Sequence, residues 1–316
     1  MRSAAPLTIV LLLAFAPATR ASEVLRVPPW ELHSSFWMSL HQTLIEDLHT
    51  PRKLDDLNAE EKAAWKAAVE AYRTAAPRSP IFADAVTITD DAITQVADDA
   101  TVPPLDAPLT ETLKRIAPIY RAHWWAADDR ANRFFIAYAA AMLREVGDDL
   151  VRKHAAVYRT PWPEHIRAYI SPYAGPFGAY THWGRSGGNI TIMSWRDPGY
   201  QGLRVVEMFL HESSHLVVSP NRGTVAAAIA AASKKRGIQP PPDLWHAVLF
   251  ATSSELARQW LTDRGEQFVP SSDDMFTRVW PKYREPIEKY WIPYVNGRGT
   301  LEEAIDHVVE AMPETR

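Results

Sequence analysis

Two histidines, His211 and His215, are separated by three residues and enclose Glu212, in the order H-E-x-x-H. On a helix, residues four apart lie on one face about one turn apart, so both imidazoles can reach a single metal ion. Glu212 projects to the side of that face, where its carboxylate can take a proton from a water molecule at the metal. The spacing predicts a Zn²⁺ site with Glu212 as general base.

A helix must hold this motif, and the apolar pattern predicts one over residues 202–218. A strand predicted over 189–195 comes shortly before it. Glu207 lies four residues before His211 on the same face, and is predicted either to orient the His211 ring by hydrogen bonding or to be an ordinary surface residue. The alternative for the whole motif is two unremarkable histidines on an amphipathic helix. The helix would be buried through Val205, Val206, Phe209, Leu210 and Leu216.

A third protein ligand is expected, and two candidates stand on a helix predicted over 242–262. Glu255 is flanked by small residues that would let two helices approach, although it is also spaced to pair with Arg258. His246 is the alternative ligand, or a donor to the substrate oxyanion. The two candidates are nine residues apart, which is about 13.5 Å along a helix and on opposite faces, so an unbroken helix brings only one of them to the metal. Tyr294 is a further candidate oxyanion donor, beside Tyr290.

Residues from about 165 to 260 resemble the zincin metallopeptidases, which have a small sheet, the H-E-x-x-H helix and a second helix with a further ligand. The segment from His215 to Asn221 contains no third histidine, so the metzincin pattern is excluded. The remaining arrangement is similar to the gluzincins, in which a glutamate from a later helix binds zinc. This resemblance implies Glu255 as the third ligand, Glu212 as base and then proton donor, and a peptide or protein substrate. The full chain also looks like a family of secreted zincin-like bacterial proteins.

The composition limits the other functions open to the chain. Its 316 residues are 47% hydrophobic and 23% charged, which is typical of a globular protein with a sizeable core. The formal net charge is −4, so there is no basic excess for a nucleic-acid partner. Cysteine is absent, so any metal must be held by histidine or carboxylate side chains.

The N-terminus has the layout of a targeting segment. Residues 1–21 contain an early arginine, a short apolar run and then small residues, which is typical of a secretory signal peptide. The protein is therefore predicted to be secreted or periplasmic, with no stable membrane span after cleavage and an oligomeric state left open. Residues 22–160 are predicted to form an N-terminal helical region, and 161–316 a zincin-like metal-binding region packed with it as one unit.

The predicted fold class is α+β and predominantly α-helical, with a small antiparallel sheet before the motif helix. An extended substrate could add to this sheet near Arg185, Asn189 and Thr191. The segment 76–108 is rich in turn-forming residues and gives no clear element. The predicted strands cover 165–169, 179–183 and 189–195; the other predicted helices cover 30–48, 58–74, 110–122, 128–157, 223–236, 283–290 and 300–311.

These features predict a secreted zinc-dependent hydrolase, and a peptidase before any other. A first alternative is a protein that keeps the metal site without turnover and serves as a binding or structural module of the cell envelope. A second is a hydrolase that applies the same water activation to a substrate other than a peptide.

Overall fold

The computed structural model describes residues 23–75, 84–96, 99–184, 186 and 188–312. It has a mixed arrangement of helices and strands, about 63% helical with one five-stranded sheet, in agreement with the predicted α+β class. The predicted signal peptide over 1–21 lies outside the described residues. Within them, no helix is both long enough and apolar enough to cross a membrane.

The sheet has the strand order β1-β2-β3-β5-β4. Its strands are β1 (Glu23–Val27), β2 (Trp30–Ser34), β3 (Ile166–Ser171), β4 (Ala179–Trp183) and β5 (Asn189–Ser194). The three central strands β2, β3 and β5 are parallel to one another, and the outer strands β1 and β4 are antiparallel to their neighbours.

The expectation of a small antiparallel sheet is therefore wrong for its centre. The strands β4 and β5 do form the predicted hairpin, but β4 folds to the outside, which leaves β5 beside β3 in parallel. The helix predicted over 30–48 also begins too early. Trp30–Ser34 is strand β2, in which Trp30 and Leu32 alternate with polar residues, but Leu32 also lies four residues before Phe36 and so fits a helical period. The helix starts at Phe36, after Ser35 accepts a capping hydrogen bond from the Met38 amide.

Twelve α-helices surround this sheet in the described part of the chain. Wider π-helical turns join α4 to α5 and α10 to α11, at Arg121–Trp125 and Ile287–Trp291. Helix α3 falls in the segment 76–108, in which no clear element is predicted. The helices are α1 (Phe36–Asp47), α2 (Ala59–Ala75), α3 (Asp84–Thr94), α4 (Ala107–Tyr120), α5 (Ala126–Tyr158), α6 (Arg204–Ser214), α7 (Thr224–Arg236), α8 (Leu244–Thr262), α9 (Ser271–Arg278), α10 (Pro281–Pro286), α11 (Ile292–Val295) and α12 (Leu301–Glu310).

Helices cover both faces of the sheet, so there are two apolar cores. Ile170 and Met193 point into one core, with α5, α6 and α8, while Tyr169 and Ile192 point into the other, with α1 to α4. Such alternation is what a pleated strand produces. The sheet also takes strands from both sides of residue 160, so the N-terminal helical region and the metal-binding region share one sheet.

Candidate metal centre

Helix α6 carries the H-E-x-x-H motif and is buried along most of its length. Val205, Val206, Phe209 and Leu210 are at most 1% exposed. Ser213 accepts a hydrogen bond from Trp30 Nε1 of strand β2 at 2.8 Å, and donates to the Phe209 carbonyl at 2.6 Å. These contacts fix the helix against the sheet and limit the movement of the motif side chains.

The three histidines His211, His215 and His246, here called the histidine trio, converge at the end of this helix. One ring nitrogen from each lies within 4.8 Å of the other two. Nε2 of His211 and Nε2 of His246 are 3.4 Å apart. Two nitrogens bound to one tetrahedral zinc at about 2.0–2.1 Å would be separated by about 3.3 Å, so the spacing already fits a shared ion.

His246 reaches the motif because it lies in the first turn of α8. Its amide donates to the Asp243 carbonyl at 2.9 Å, and Asp243 has a left-handed backbone with φ of 59°. The sharp turn at Asp243 starts the helix beside the end of α6. This geometry brings the imidazole of His246 to within 4.9 Å of that of His215, measured between ring centroids.

Aromatic side chains enclose the histidine trio. The Phe250 ring centroid is 3.8 Å from that of His211, and Trp245 stacks on His246 with ring planes 13° apart. Trp280 packs edge-on against His246 at 5.1 Å. These rings shield the imidazoles from water, which disfavours their charged forms.

Burial keeps the three imidazoles neutral near physiological pH. Burial, followed by repulsion from the other two rings, holds the pKa of His211 well below its usual range. Burial and the neighbouring His246 lower the pKa of His215 to about 3, and burial lowers the pKa of His246 to about 4. Neutral imidazoles present the lone pairs that a metal ion requires.

Glu212 is 4% exposed, and among the described residues its side chain hydrogen-bonds to strand β4. The hydroxyl of Thr181 donates to Glu212 Oε2 at 2.9 Å and lies 2.9 Å from the hydroxyl of Thr191 on β5. Burial raises the pKa of Glu212 to about 8, while the Thr181 hydrogen bond acts in the opposite direction. The carboxyl group is thus one that binds a proton readily, beside three neutral imidazoles.

Glu255 does not belong to this group, which corrects the expectation that it is the third ligand. Its carboxylate accepts two hydrogen bonds from Arg258, both at 2.8 Å, and one from Gln259 at 2.7 Å. Burial alone would raise its pKa, but these contacts outweigh burial and lower it. The helix separates it from His246 by about 13.5 Å, at 1.5 Å per residue. Of the two candidates on α8, His246 is the one near the motif.

The tyrosines expected as oxyanion donors are engaged elsewhere. The hydroxyl of Tyr294 donates to the Val157 carbonyl at 2.7 Å and so satisfies the C-terminal end of α5. The ring of Tyr290 stacks on His307 of α12. The role proposed for Tyr294 is therefore corrected to a structural one.

Glu207 serves the start of helix α9 rather than the His211 ring. Its carboxylate accepts hydrogen bonds from the Ser271 amide, at 3.0 Å, and from the hydroxyls of Ser271 and Ser254. A carboxylate is favourable at a helix N-terminus because the first amides have no partner within the helix. Among the described residues, Nδ1 of His211 has no hydrogen-bond partner.

The residues expected near a substrate strand have mixed positions. Thr191 lies beside Thr181 in the sheet, as described above. Asn189 donates to the His165 carbonyl at 2.9 Å. Arg185 lies outside the described residues.

Thr181 is the site residue that the sequence did not reveal. A threonine in a predicted strand has a common structural explanation, since its branched side chain suits a sheet. Only the packing of α6 across β4 brings it to Glu212. The aromatic enclosure by Trp245, Phe250 and Trp280 was equally hidden, because it combines two rings of α8 with one from the segment before α10.

Comparisons with known proteins do not extend this description. No family model, no curated protein and no solved structure matches the chain. The function must therefore be argued from the site itself.

Proposed function

We propose that this protein is a zinc-dependent hydrolase that cleaves peptide bonds, with the histidine trio as metal ligands and Glu212 as general base. The observation that carries the proposal is the convergence of the three imidazole nitrogens within 4.8 Å, next to the buried carboxyl group of the same motif. The zinc ion and the activity are both part of the proposal.

The donor set fits zinc better than the other common divalent ions. Imidazole nitrogens suit zinc, whereas magnesium and calcium prefer oxygen ligands. Three protein ligands are also the usual number for a catalytic zinc site, while structural sites have four. Within the described residues no fourth histidine or carboxylate joins the group. The ligand count therefore favours a hydrolase over a metal site without turnover.

Glu212 would move the proton. A zinc ion at the trio would supply a Lewis acid that polarises the substrate carbonyl and acidifies water. Thr181 holds Oε2 of Glu212, and no other hydrogen bond to this carboxyl group is found in the described part of the chain. Oε1 is then the oxygen that takes the proton. Without a cation at the trio, burial raises the pKa of Glu212 to about 8 and favours its protonated form. A cation held by the trio would favour the carboxylate, which could then take a proton and pass it to the leaving amine.

The position of β4 supports an extended peptide as substrate. Strand β4 lies at the edge of the sheet, so its outer backbone groups lack a strand partner among the described strands. An extended chain can pair with such an edge through main-chain hydrogen bonds. The Thr181–Glu212 hydrogen bond links the same strand directly to the proposed base.

Metal analysis combined with a peptide-library digest tests the proposal. The purified protein should bind one zinc ion and cut peptides, and Glu212→Gln should keep the zinc while its kcat falls by about 10²–10⁴-fold. His246→Ala should lose both zinc and cleavage. Glu255→Gln is the matched control on the same helix and should keep both.

Two results would overturn the proposal in different ways. Absence of stoichiometric zinc would remove the metal site itself. Stoichiometric zinc with no cleavage of the peptide library would remove the peptidase activity and favour a binding module or a hydrolase of another substrate class.

A further inference from the structure

A second buried polar cluster lies on the opposite face of strand β4. Its centre is Asp90 of α3, which is completely buried. Nε2 of His182 approaches the Asp90 carboxylate to 3.2 Å and Nε2 of His41 approaches it to 3.4 Å. The hydroxyl of Tyr180 donates to the same carboxylate at 2.8 Å. We call this the Asp90 network; it comprises His41, Gln42, Tyr72, Asp90, Tyr180 and His182.

The Asp90 network ties the edge strand to two helices. Gln42 of α1 donates to the Tyr180 hydroxyl at 2.6 Å, and Nδ1 of His41 lies 3.0 Å from the Tyr72 hydroxyl. Strand β4 has only β5 as a neighbour in the described sheet. An inner strand is held by neighbouring strands on both sides. For β4, the contacts of its side chains with Asp90 take the place of the second neighbour.

The network residues of β4 directly flank the residue that contacts Glu212. Tyr180 and His182 point to the face covered by α1 and α3, and Thr181 between them points to α6. Successive side chains on a strand alternate between faces. The backbone between them is short and stiff, so a shift of Tyr180 and His182 moves Thr181 as well.

A fixed negative charge gives the network its strength. Burial alone would raise the pKa of Asp90, but the contacts with His182 and His41 outweigh burial and lower it to about 2. Burial alone would lower the pKa of His182, but the contact with Asp90 outweighs burial and the pKa is raised. The imidazoles of His41 and His182 lie at ion-pair distance from the buried carboxylate, and the Tyr180 hydroxyl makes a direct hydrogen bond to it.

We propose that Asp90 is a positioning residue for the metal centre: through Tyr180 and His182 it fixes strand β4, and thereby holds the Thr181 hydroxyl on Glu212. This inference rests on the proposed function for its catalytic consequence, while the anchoring of β4 stands on the contacts alone. It assigns a functional role to a cluster about which the H-E-x-x-H motif gives no information.

The test compares Asp90→Asn, Thr181→Val and the double variant with the unmodified protein. Asp47→Asn is the matched control, because Asp47 is another buried aspartate in the same core, held by Arg52 and Trp65 and without contact to β4. Hydrogen exchange of the β4 amides is measured first, on metal-free protein. Zinc content, kcat and KM on a cleaved peptide are measured next.

Asp90→Asn should accelerate exchange in β4 at least 10-fold and lower kcat at least 10-fold, with zinc content and KM within 2-fold of the unmodified protein. In the Thr181→Val background it should lower kcat by less than 2-fold, because the contact through which it acts is already gone. The control Asp47→Asn should leave β4 exchange and kcat within 2-fold. If Asp90→Asn does not fold, His182→Gln removes one contact of the network and should show the same pattern at smaller size.

Unchanged β4 exchange in Asp90→Asn would overturn the proposal. A double variant whose loss of kcat equals the product of the two single losses would also overturn it. Exchange needs neither metal nor substrate, so it judges the anchoring of β4 even if no peptide is cleaved. If the protein binds no zinc and cuts no peptide, but β4 exchange is faster in Asp90→Asn, the proposed function is rejected. The anchoring of β4 by Asp90 is then retained.

Discussion

The protein contains two histidine clusters on opposite sides of strand β4, and they differ in whether a carboxylate lies among the imidazoles. The histidine trio brings three imidazoles together without a carboxylate ligand among them. The Asp90 network places two imidazoles around a buried carboxylate. Burial lowers the pKa of each member of the trio, whereas Asp90 raises the pKa of His182 despite burial.

The difference shows what a carboxylate does to a histidine cluster. Beside Asp90, the protonated form of His182 is favoured, and the buried carboxylate supplies the opposite charge within the cluster. In the trio, three ring nitrogens converge with no carboxylate among them, and a cation is the natural partner for the lone pairs of neutral imidazoles. The same residue type thus anchors a strand in one place and forms a candidate metal site in the other.

The largest expected effect distinguishes the two clusters by their affinity for zinc. His246→Ala should weaken zinc binding by more than about 100-fold, because even residues that only support a metal ligand are worth about 10–100-fold. His182→Ala, the matched change in the Asp90 network, should alter the affinity by less than about 10-fold. Competition with a chromogenic chelator measures both. Equal losses in the two variants would show that the clusters are not distinct in function.

The second effect distinguishes them by stability in the absence of metal. Asp90→Asn should lower the free energy of unfolding by about 3 kcal/mol, because it leaves buried imidazoles without their countercharge. His246→Gln should change it by less than about 1 kcal/mol, since the trio has no ion pair to break. Urea unfolding of metal-free protein at pH 7 provides the comparison. A larger loss in His246→Gln than in Asp90→Asn would contradict the assignment of roles.

The third effect is the dependence of stability on pH, which should have opposite signs in the two clusters. His215 and His246 ionise at about 3 and 4 in the folded protein and near 6.5 when unfolded. Between pH 6.5 and pH 4 the unfolded state therefore binds more protons than the folded state. The free energy of unfolding then falls by about 1.4 kcal/mol per histidine for each unit by which the pH is lowered. For His182, whose pKa is raised, the stabilisation is present below pH 6.5 and is lost as the pH rises through the folded value.

Unfolding curves of metal-free protein across this range separate these contributions. His246→Gln should reduce the slope between pH 6.5 and pH 4 by about one histidine's share. His182→Gln should instead remove stability below pH 6.5 and have less effect at higher pH. An unchanged acid slope in His246→Gln would mean that this imidazole is not held neutral by the fold.

The smallest expected effect concerns Glu255. Glu255→Gln should change zinc affinity by less than about 2-fold and stability by less than about 1 kcal/mol, because it pairs with a partly exposed arginine. The chelator assay used for His246→Ala measures the affinity. A 100-fold loss of affinity in Glu255→Gln would restore this residue as a ligand and remove His246 from the site.

The sequence predicted the parts of the site that depend on neighbours along the chain. His211 and Glu212 lie in α6, and His215 caps its C-terminus with helical backbone angles, so their spacing alone predicts their relative positions. The β4–β5 hairpin followed from its local turn signals in the same way. The choice between Glu255 and His246 was different, because it depends on which end of α8 meets α6.

The remaining parts were hidden because they depend on contacts distant in sequence. Strand β2 pairs with β3 across more than a hundred residues, and its apolar Leu32 lies four residues before Phe36, so that it also fits the period of the helix that follows. Thr181 meets Glu212 only through the packing of α6 on the sheet. Asp90 lies in the segment without a predicted element, although it organises the far side of β4.

X-ray absorption spectroscopy at the zinc edge tests the central claim most directly, because it counts the ligands of the bound ion. Protein loaded with one equivalent of zinc should show three imidazole nitrogens at about 2.0–2.1 Å, with the same spectrum in Glu255→Gln. A spectrum of two imidazoles and a protein carboxylate would contradict the account if Glu255→Gln changes it and His246→Ala does not. Zinc that does not remain bound at one equivalent would also contradict it.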